Sequence, residues 1–370
     1  MADNPTLQII LQDKEDQLKE WSFTGWHLRT LHAIRKCRTA ALGGHIDRCN
    51  CCNALHISYN SCRNRHCPKC QGHKGEQWIG AREKELLHTV YYHLVFTLPS
   101  ELNPYALKYS KQVYRSLFKA SWDTLSCFAE KALQVKPGMI GVLHTWGQNL
   151  SLHPHLHCIV PSGGVDKNAN WKHNNRKRKF LFPVRAMSQV FRAKMVKELR
   201  KQNLPIPQKV YDQLFSKNWV VYAKAAFGKP EYVVEYLGRY THKIAISDHR
   251  IQHYDTQNSH VYFWAKNYKN NGQKQLLNLS TKDFIKRFQL HILPKGFTRI
   301  RHYGILSSSW KKEKLPKLQA QLQKQTLQTT RPTRESHHLR CPVCKKGKLI
   351  TLMTFGIRGP PKAFLKNINP

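Results

Sequence analysis

Apolar positions along this chain fall into two rhythms. From Val90 to Leu98 they run almost unbroken and stop at Pro99, which predicts a buried β-strand. Over residues 104–134 Tyr105, Leu107, Tyr114, Leu117, Phe118, Trp122 and Leu125 recur on one side of a long amphipathic helix. Met139–Trp146 predicts a second strand, Gly147–Ser151 a turn, and Leu156–Val160 a third strand. Residues 187–215 read as helical, Trp219–Phe227 as another strand, and the stretch from Pro230 through Tyr240 as a helix with proline at its first position. Lys243–Ser247 follow, then a hairpin-like pair around Asn270-Asn271-Gly272. Short antiparallel strands with helices on one side make an α+β fold the expectation.

The first 35 residues also read as helical, but residues 36–75 carry few periodic apolar positions and many Cys, His, Asn and Arg. A segment that cannot bury a core needs a staple, and zinc supplies one. Cys49 and Cys52 form one CxxC, Cys67 and Cys70 a second, and the fourteen residues between them resemble zinc-ribbon spacing. Four like ligands close a tetrahedron, so this site is expected to be structural. Cys37, His45, Cys62 and His66 are left over, open to a second, interleaved site or to plain burial. Beyond residue 310 the chain is rich in Lys, Gln and Thr and carries Cys341-Pro342-Val343-Cys344, half a zinc site that His337 or His338, or another molecule, completes. The expected units are therefore residues 1–85, an N-terminal helix and zinc-binding domain; 86–310, a larger α+β domain; and 311–370, a basic, partly disordered tail.

Charge narrows the partners. Lys and Arg number 61 against 22 Asp and Glu, a net charge of +39, which calls for a polyanion such as nucleic acid. A membrane is disfavoured, because no run nears the ~18 apolar residues of a spanning helix. The opening Met1-Ala2-Asp3-Asn4 starts no signal peptide, so a cytoplasmic protein is expected, its 11 cysteines serving as ligands or buried thiols. Tryptophans such as Trp21, Trp26, Trp122, Trp146, Trp171 and Trp264 interleave with the basic residues, a mix that suits unpaired bases.

Two constellations carry chemistry. His155-Leu156-His157 puts two imidazoles on one face of a strand and Leu156 on the other, and paired neutral imidazoles are good ligands for a divalent ion. Tyr236 and Tyr240 stand at i and i+4 on the predicted helix, one above the other. Each alone has a commoner reading, as surface histidines or as a packing ridge. Their order along one very basic chain points instead to cutting single-stranded DNA through a phosphotyrosine link. A third ligand is needed. Gln148, seven residues before His155, is the candidate, with His153 and His144 as alternatives, and such a set suits Mg²⁺ or Mn²⁺.

With those residues go five ordered blocks: Tyr59–Cys70, His93–Pro99, the histidine strand, Tyr236–Ser247 and Leu293–Gly304. In them the sequence resembles the two-tyrosine HUH rolling-circle transposases of insertion sequences, the IS91 family, over about residues 25 to 310. The resemblance implies a ferredoxin- or RRM-like HUH nuclease sheet and DNA transposition by nicking and rolling-circle strand transfer. One tyrosine would hold a donor 5′ end while the other attacks a second strand. Basic residues in the blocks, namely Arg63, Arg65, Lys69, Arg239, Lys243, Arg299 and Arg301, join the loop residues Arg176, Lys177, Arg178 and Lys179 as candidate DNA contacts. Asn53 departs from the family, which commonly has a turn glycine after the second zinc cysteine. A zinc-dependent regulator without catalysis would leave both constellations unused. A replication initiator shares the chemistry but often carries a helicase, and no GxxxxGK[ST] loop occurs here.

Overall fold

A five-stranded antiparallel sheet forms the centre of the computed structural model, which describes residues 5–71, 84–174, 181–227, 238, 243–267, 270–323 and 340–360. Its strands are β3 (Tyr91–Thr97), β4 (Gly138–Trp146), β5 (Leu152–Pro161), β8 (Val221–Phe227) and β12 (Ile300–Gly304), in the order β12-β4-β5-β3-β8. Side chains alternate across each strand, so Leu94, Phe96, Leu143, Leu156, Cys158 and Val160 all enter one face. There they meet Val113, Leu117, Phe118 and Leu125 of helix Ser110–Leu133, and Met187, Phe191 and Met195 of helix Val184–Lys201. The architecture is α+β, as the sequence predicts.

The opposite face of the same sheet changes character along its length. At one end Tyr91, Ile140, Val142 and Ile159 lie under Leu315, Leu318 and Leu322 of helix Leu315–Gln323. At the other end the positions that would continue this apolar stripe are histidines. A short hairpin, β6 (Gly163–Val165) with β7 (Trp171–His173), follows β5.

A second unit packs the chain's first helices against a later segment. Strands β9 (Ile251–Asp255), β10 (His260–Asn267) and β11 (Gln273–Ser280) form an antiparallel sheet whose inner residues Ile251, Val261 and Phe263 contact Phe284 and Phe288 of helix Thr281–Gln289. Leu7, Ile10, Leu31 and Ile34 from helices Leu7–Asp13 and Gly25–Arg35 complete that core. Thr6, Thr24 and Ser280 cap these helices by accepting from the backbone N–H group three residues on.

The third sheet joins sequence-distant parts: β1 (Gly44–Cys49), β2 (Leu55–Tyr59) and β13 (Leu349–Phe355), in the order β13-β1-β2. Residues expected to trail as a separate tail after 310 are thus built into the rest: helix Leu315–Gln323 covers the central sheet, and β13 runs antiparallel to β1 from Gly44↔Phe355 to Cys49↔Leu349. Other differences are local. The helical stretch 187–215 is two helices, Val184–Lys201 and Gln208–Phe215, separated by a segment holding Pro205 and Pro207. The 104–134 helix is interrupted at Tyr109, where φ is −121° and ψ 43°. Among the described residues no helix is long and apolar enough to cross a membrane.

Candidate active site and metal clusters

His144, His155 and His157 converge at the polar end of the central sheet, with one ligand nitrogen of each within 4.8 Å of the others. Pairing explains the convergence. His144 on β4 lies directly opposite His155 on β5, and His157 follows two residues on, on the same face. His144 is 2% and His157 9% exposed, while His155 is partly open to solvent. The ring of Trp146 stacks on His144 at 4.5 Å, and the Arg299 guanidinium covers Trp146 at 5.5 Å.

Hydrogen bonds fix the rings. The Nδ1–H of His155 donates to the His153 carbonyl at 2.6 Å, which leaves the Nε2 lone pair for a ligand. His157 Nδ1 lies 2.9 Å from Nε2 of His93 on β3, the two rings stacked at 5.1 Å. Behind them His291 donates from Nε2 to the Leu150 carbonyl at 3.1 Å and lies 3.2 Å through Nδ1 from the Thr145 hydroxyl. Burial pushes His155 down to about 4. It pushes His157 well below the ordinary histidine range too, helped by coupling to the neighbouring His155 and His93 and by the positive charges of Lys243 and Arg299. These imidazoles are therefore neutral near pH 7, the form that binds a metal.

The donor set tests the metal expected from sequence. Three imidazole nitrogens are tolerated better by Mn²⁺ than by Mg²⁺, which holds most firmly to oxygen ligands and water. His144, an alternative to Gln148, is the third histidine of the cluster. Gln148 sits in the turn after β4, where its backbone carbonyl accepts from the Arg250 guanidinium. His153 is exposed and contributes its carbonyl to His155.

The cysteines do not group as their spacing suggested. Cys49, Cys52, Cys67 and Cys70 were the expected quartet, but the structure divides them between two clusters. Cys67 and Cys70 meet Cys37 and Cys62, with Cys70 Sγ 3.5 Å from Cys37 Sγ and 3.6 Å from Cys62 Sγ. Cys49 and Cys52 meet Cys341 and Cys344. The reason is that β1 and β2 form a hairpin pointing the Cys49–Cys52 turn away from Cys37, toward the chain leading into β13. Of the leftover group, Cys37 and Cys62 thus join the first cluster. His45 instead lies 3.3 Å from Asp47 Oδ2, and His66 is buried beside Arg65.

Several basic candidates are engaged within the protein. Arg65, expected as a phosphate contact, donates to the carbonyls of Phe297, Leu293 and Pro294, so it clamps the cysteine module onto the turn before β12. Lys69 donates to Gln8. Arg299 donates to the Lys243 carbonyl beside the histidines, and Arg301 lies 4.3 Å over the Phe118 ring. Arg63 and Lys243 are exposed. Tyr236, Tyr240, Arg239, Arg176, Lys177, Arg178, Lys179, His337 and His338 lie outside the described residues.

Sequence reasoning passed over His93 as a partner of His157 and Cys341 with Cys344 as partners of Cys49 and Cys52. The available signals were the His at the head of the His93–Pro99 block and the unpaired CxxC near residue 340.

An α+β protein with a triple-histidine cluster at one end of its sheet and two four-cysteine clusters is the class that fold and site define. Comparison with known proteins narrows it. The family profile described as "Putative transposase" matches residues 138–314, and that described as "Transposase zinc-binding domain" matches residues 9–98. The chain is 38% identical to "Putative transposase y4qJ" of Sinorhizobium fredii over 91% of its own length and 92% of the relative. It is 30% identical to "Transposase for insertion sequence element IS801" of Pseudomonas savastanoi pv. phaseolicola, over 81% of its own length and 75% of the relative. The chain belongs to the IS91 family of insertion-sequence transposases, with the family's N-terminal zinc-binding domain. No solved structure matches it significantly.

Proposed function

We propose that this transposase nicks single-stranded DNA at the histidine end of its central sheet, with Tyr236 and Tyr240 as nucleophiles, and passes the strand on by a rolling-circle-like route. The observation that carries the reading is the cluster of His144, His155 and His157. A divalent ion held there would supply Lewis acidity to a phosphate oxygen. The chain's own part is to present a phenol in line with the scissile phosphorus. The phenolic oxygen bonds to phosphorus, the bond to the 3′ oxygen breaks, and that oxygen leaves as a hydroxyl, giving a 5′-phosphotyrosine. Lys243 and Arg299, whose charges bear on His157, are suited to attract the phosphate. Arg63, Arg239, Arg176, Lys177, Arg178 and Lys179 are the further candidates for holding the strand.

Strand direction supports a place for the tyrosines near the histidines. β8 runs antiparallel to β3, so Phe227 lies opposite Tyr91, at the far end of the face, while Lys243 acts on His155 and His157 at the near end. The intervening residues 228–242 hold both tyrosines, and from Pro230 through Tyr240 their sequence predicts a helix.

The test is a labelled single-stranded oligonucleotide carrying an element end, incubated with purified protein and Mn²⁺ or Mg²⁺. A metal-dependent covalent adduct is expected, reduced in Tyr236→Phe and in Tyr240→Phe and absent from the double variant. An adduct that survives in the double variant refutes the assignment.

A further inference from the structure

We propose that Cys49, Cys52, Cys341 and Cys344 form a second zinc site, distinct from the one at Cys37, Cys62, Cys67 and Cys70. The matched zinc-binding domain ends at residue 98, so half of this site lies outside it. Thiolates about 2.3 Å from a tetrahedral ion stand about 3.8 Å apart. Here Cys49 Sγ and Cys344 Sγ are 3.6 Å apart, Cys52 Sγ and Cys341 Sγ 3.7 Å, and all four lie within 4.8 Å of one another. Disulfides would need about 2.05 Å between two sulfurs and would not draw four together.

The surrounding backbone is built for thiolates. Two CxxC turns face each other, and each is followed by a residue in the left-handed region, Asn53 and Lys345, both at φ 57°. Backbone N–H groups point at the sulfurs: Cys51 N at 3.3 Å and Cys52 N at 3.5 Å from Cys49 Sγ, and Gly347 N at 3.3 Å from Cys344 Sγ. Such donors offset negative charge on a sulfur. Gly347 is required by close approach, since a Cβ there would stand 2.4 Å from Cys49 Sγ. Asn50 ties the turns together, its N–H donating to the Lys348 carbonyl at 3.0 Å and its side-chain oxygen accepting from Lys348 N at 2.8 Å. The expected turn glycine is missing at Asn53, yet the conformation it would serve is kept.

A four-thiolate tetrahedron takes zinc or iron, and zinc follows from a site of two facing knuckles with no open position. This site differs from the first in location. Cys37, Cys67 and Cys70 belong to the core shared with helix Leu7–Asp13, whereas Cys52 is exposed. The second site is thus the more accessible, and it exists only when residues 341–344 are docked.

The experiment is metal analysis of the full-length chain. Two zinc ions per chain are expected, falling to one in Cys341→Ser/Cys344→Ser, with the remaining ion resistant to mild chelation. Gly347→Val keeps all eight thiols and is expected to lose the same single ion. Cobalt reconstitution gives a second readout, the thiolate-to-cobalt absorbance per chain halving in both variants. One zinc in the unaltered chain, two retained in the double variant, or iron in place of zinc would each overturn the proposal.

Discussion

His93 Nε2 lies 2.9 Å from His157 Nδ1, joining β3 to β5 through two stacked imidazoles. For Nε2 of His157 to serve as a ligand, its Nδ1 must carry the proton and donate to His93. His93 then acts as a positioning residue, fixing tautomer and ring angle. Outer partners of metal-bound histidines are typically worth about 10–100-fold in affinity or activity. We expect His93→Ala to weaken Mn²⁺ binding by about that factor, and His93→Gln, which can still accept, to recover most of it. Equal losses in both variants would make the contact one of packing alone.

The three clustered histidines predict a sharp contrast with their neighbour. His144→Ala, His155→Ala and His157→Ala should each abolish nicking while DNA binding, measured by filter retention, stays near that of the unaltered chain, because phosphate contacts come from elsewhere. Gln148→Ala should leave the metal titration close to normal. A large shift in that titration would assign Gln148 to the ligand set.

Acid should loosen the fold through His291. Burial pushes its pKa down from 6.5 to about 4. The unfolded chain therefore takes up a proton between those values that the folded chain refuses, so stability is full above pH 6.5 and falls as pH drops toward 4. The loss is on the order of 3 kcal/mol at about 1.4 kcal/mol per unit. His155 shifts the same way and adds to it. Urea midpoints across this range should fall steeply for the unaltered chain and less so for His291→Gln. Identical slopes would remove His291 from the account.

Leu156 stands between two candidate ligands yet faces the opposite side, fully buried under the large helices. Leu156→Ala should cost about 2–5 kcal/mol in denaturant unfolding. Metal affinity below the unfolding transition should hardly change, since the strand keeps its register. A loss of affinity without a loss of stability would show that the strand's two faces are not independent.

How much of this was legible depended on distance along the chain. The parity of His155, Leu156 and His157 is a local property of a strand, and the sheet and its principal helices follow from equally local patterns. His144 was harder, because its place opposite His155 depends on a register shift between His144 and Trp146 that no local pattern shows. Spacing pairs Cys49 and Cys52 with the nearest CxxC, whereas their partners lie almost 300 residues away. Loop-closure entropy grows only logarithmically with length, so proximity in sequence is a weak guide to which thiols meet. Arg65 looked like a phosphate contact because a charge reads the same in sequence wherever its fork ends up.

The pairing of β13 with β1 also sets a clock on synthesis. Cys49 and Cys52 emerge early, but the strand that covers the edge of β1 and the thiols that face them are made last. At about 5–20 residues per second, a ribosome takes on the order of 15–60 s to travel from one CxxC to the other. Throughout that interval the edge of β1 and two thiols remain open to chaperones, to stray metals and to other nascent chains. A message cut short before codon 341 would leave that edge and both thiols open permanently.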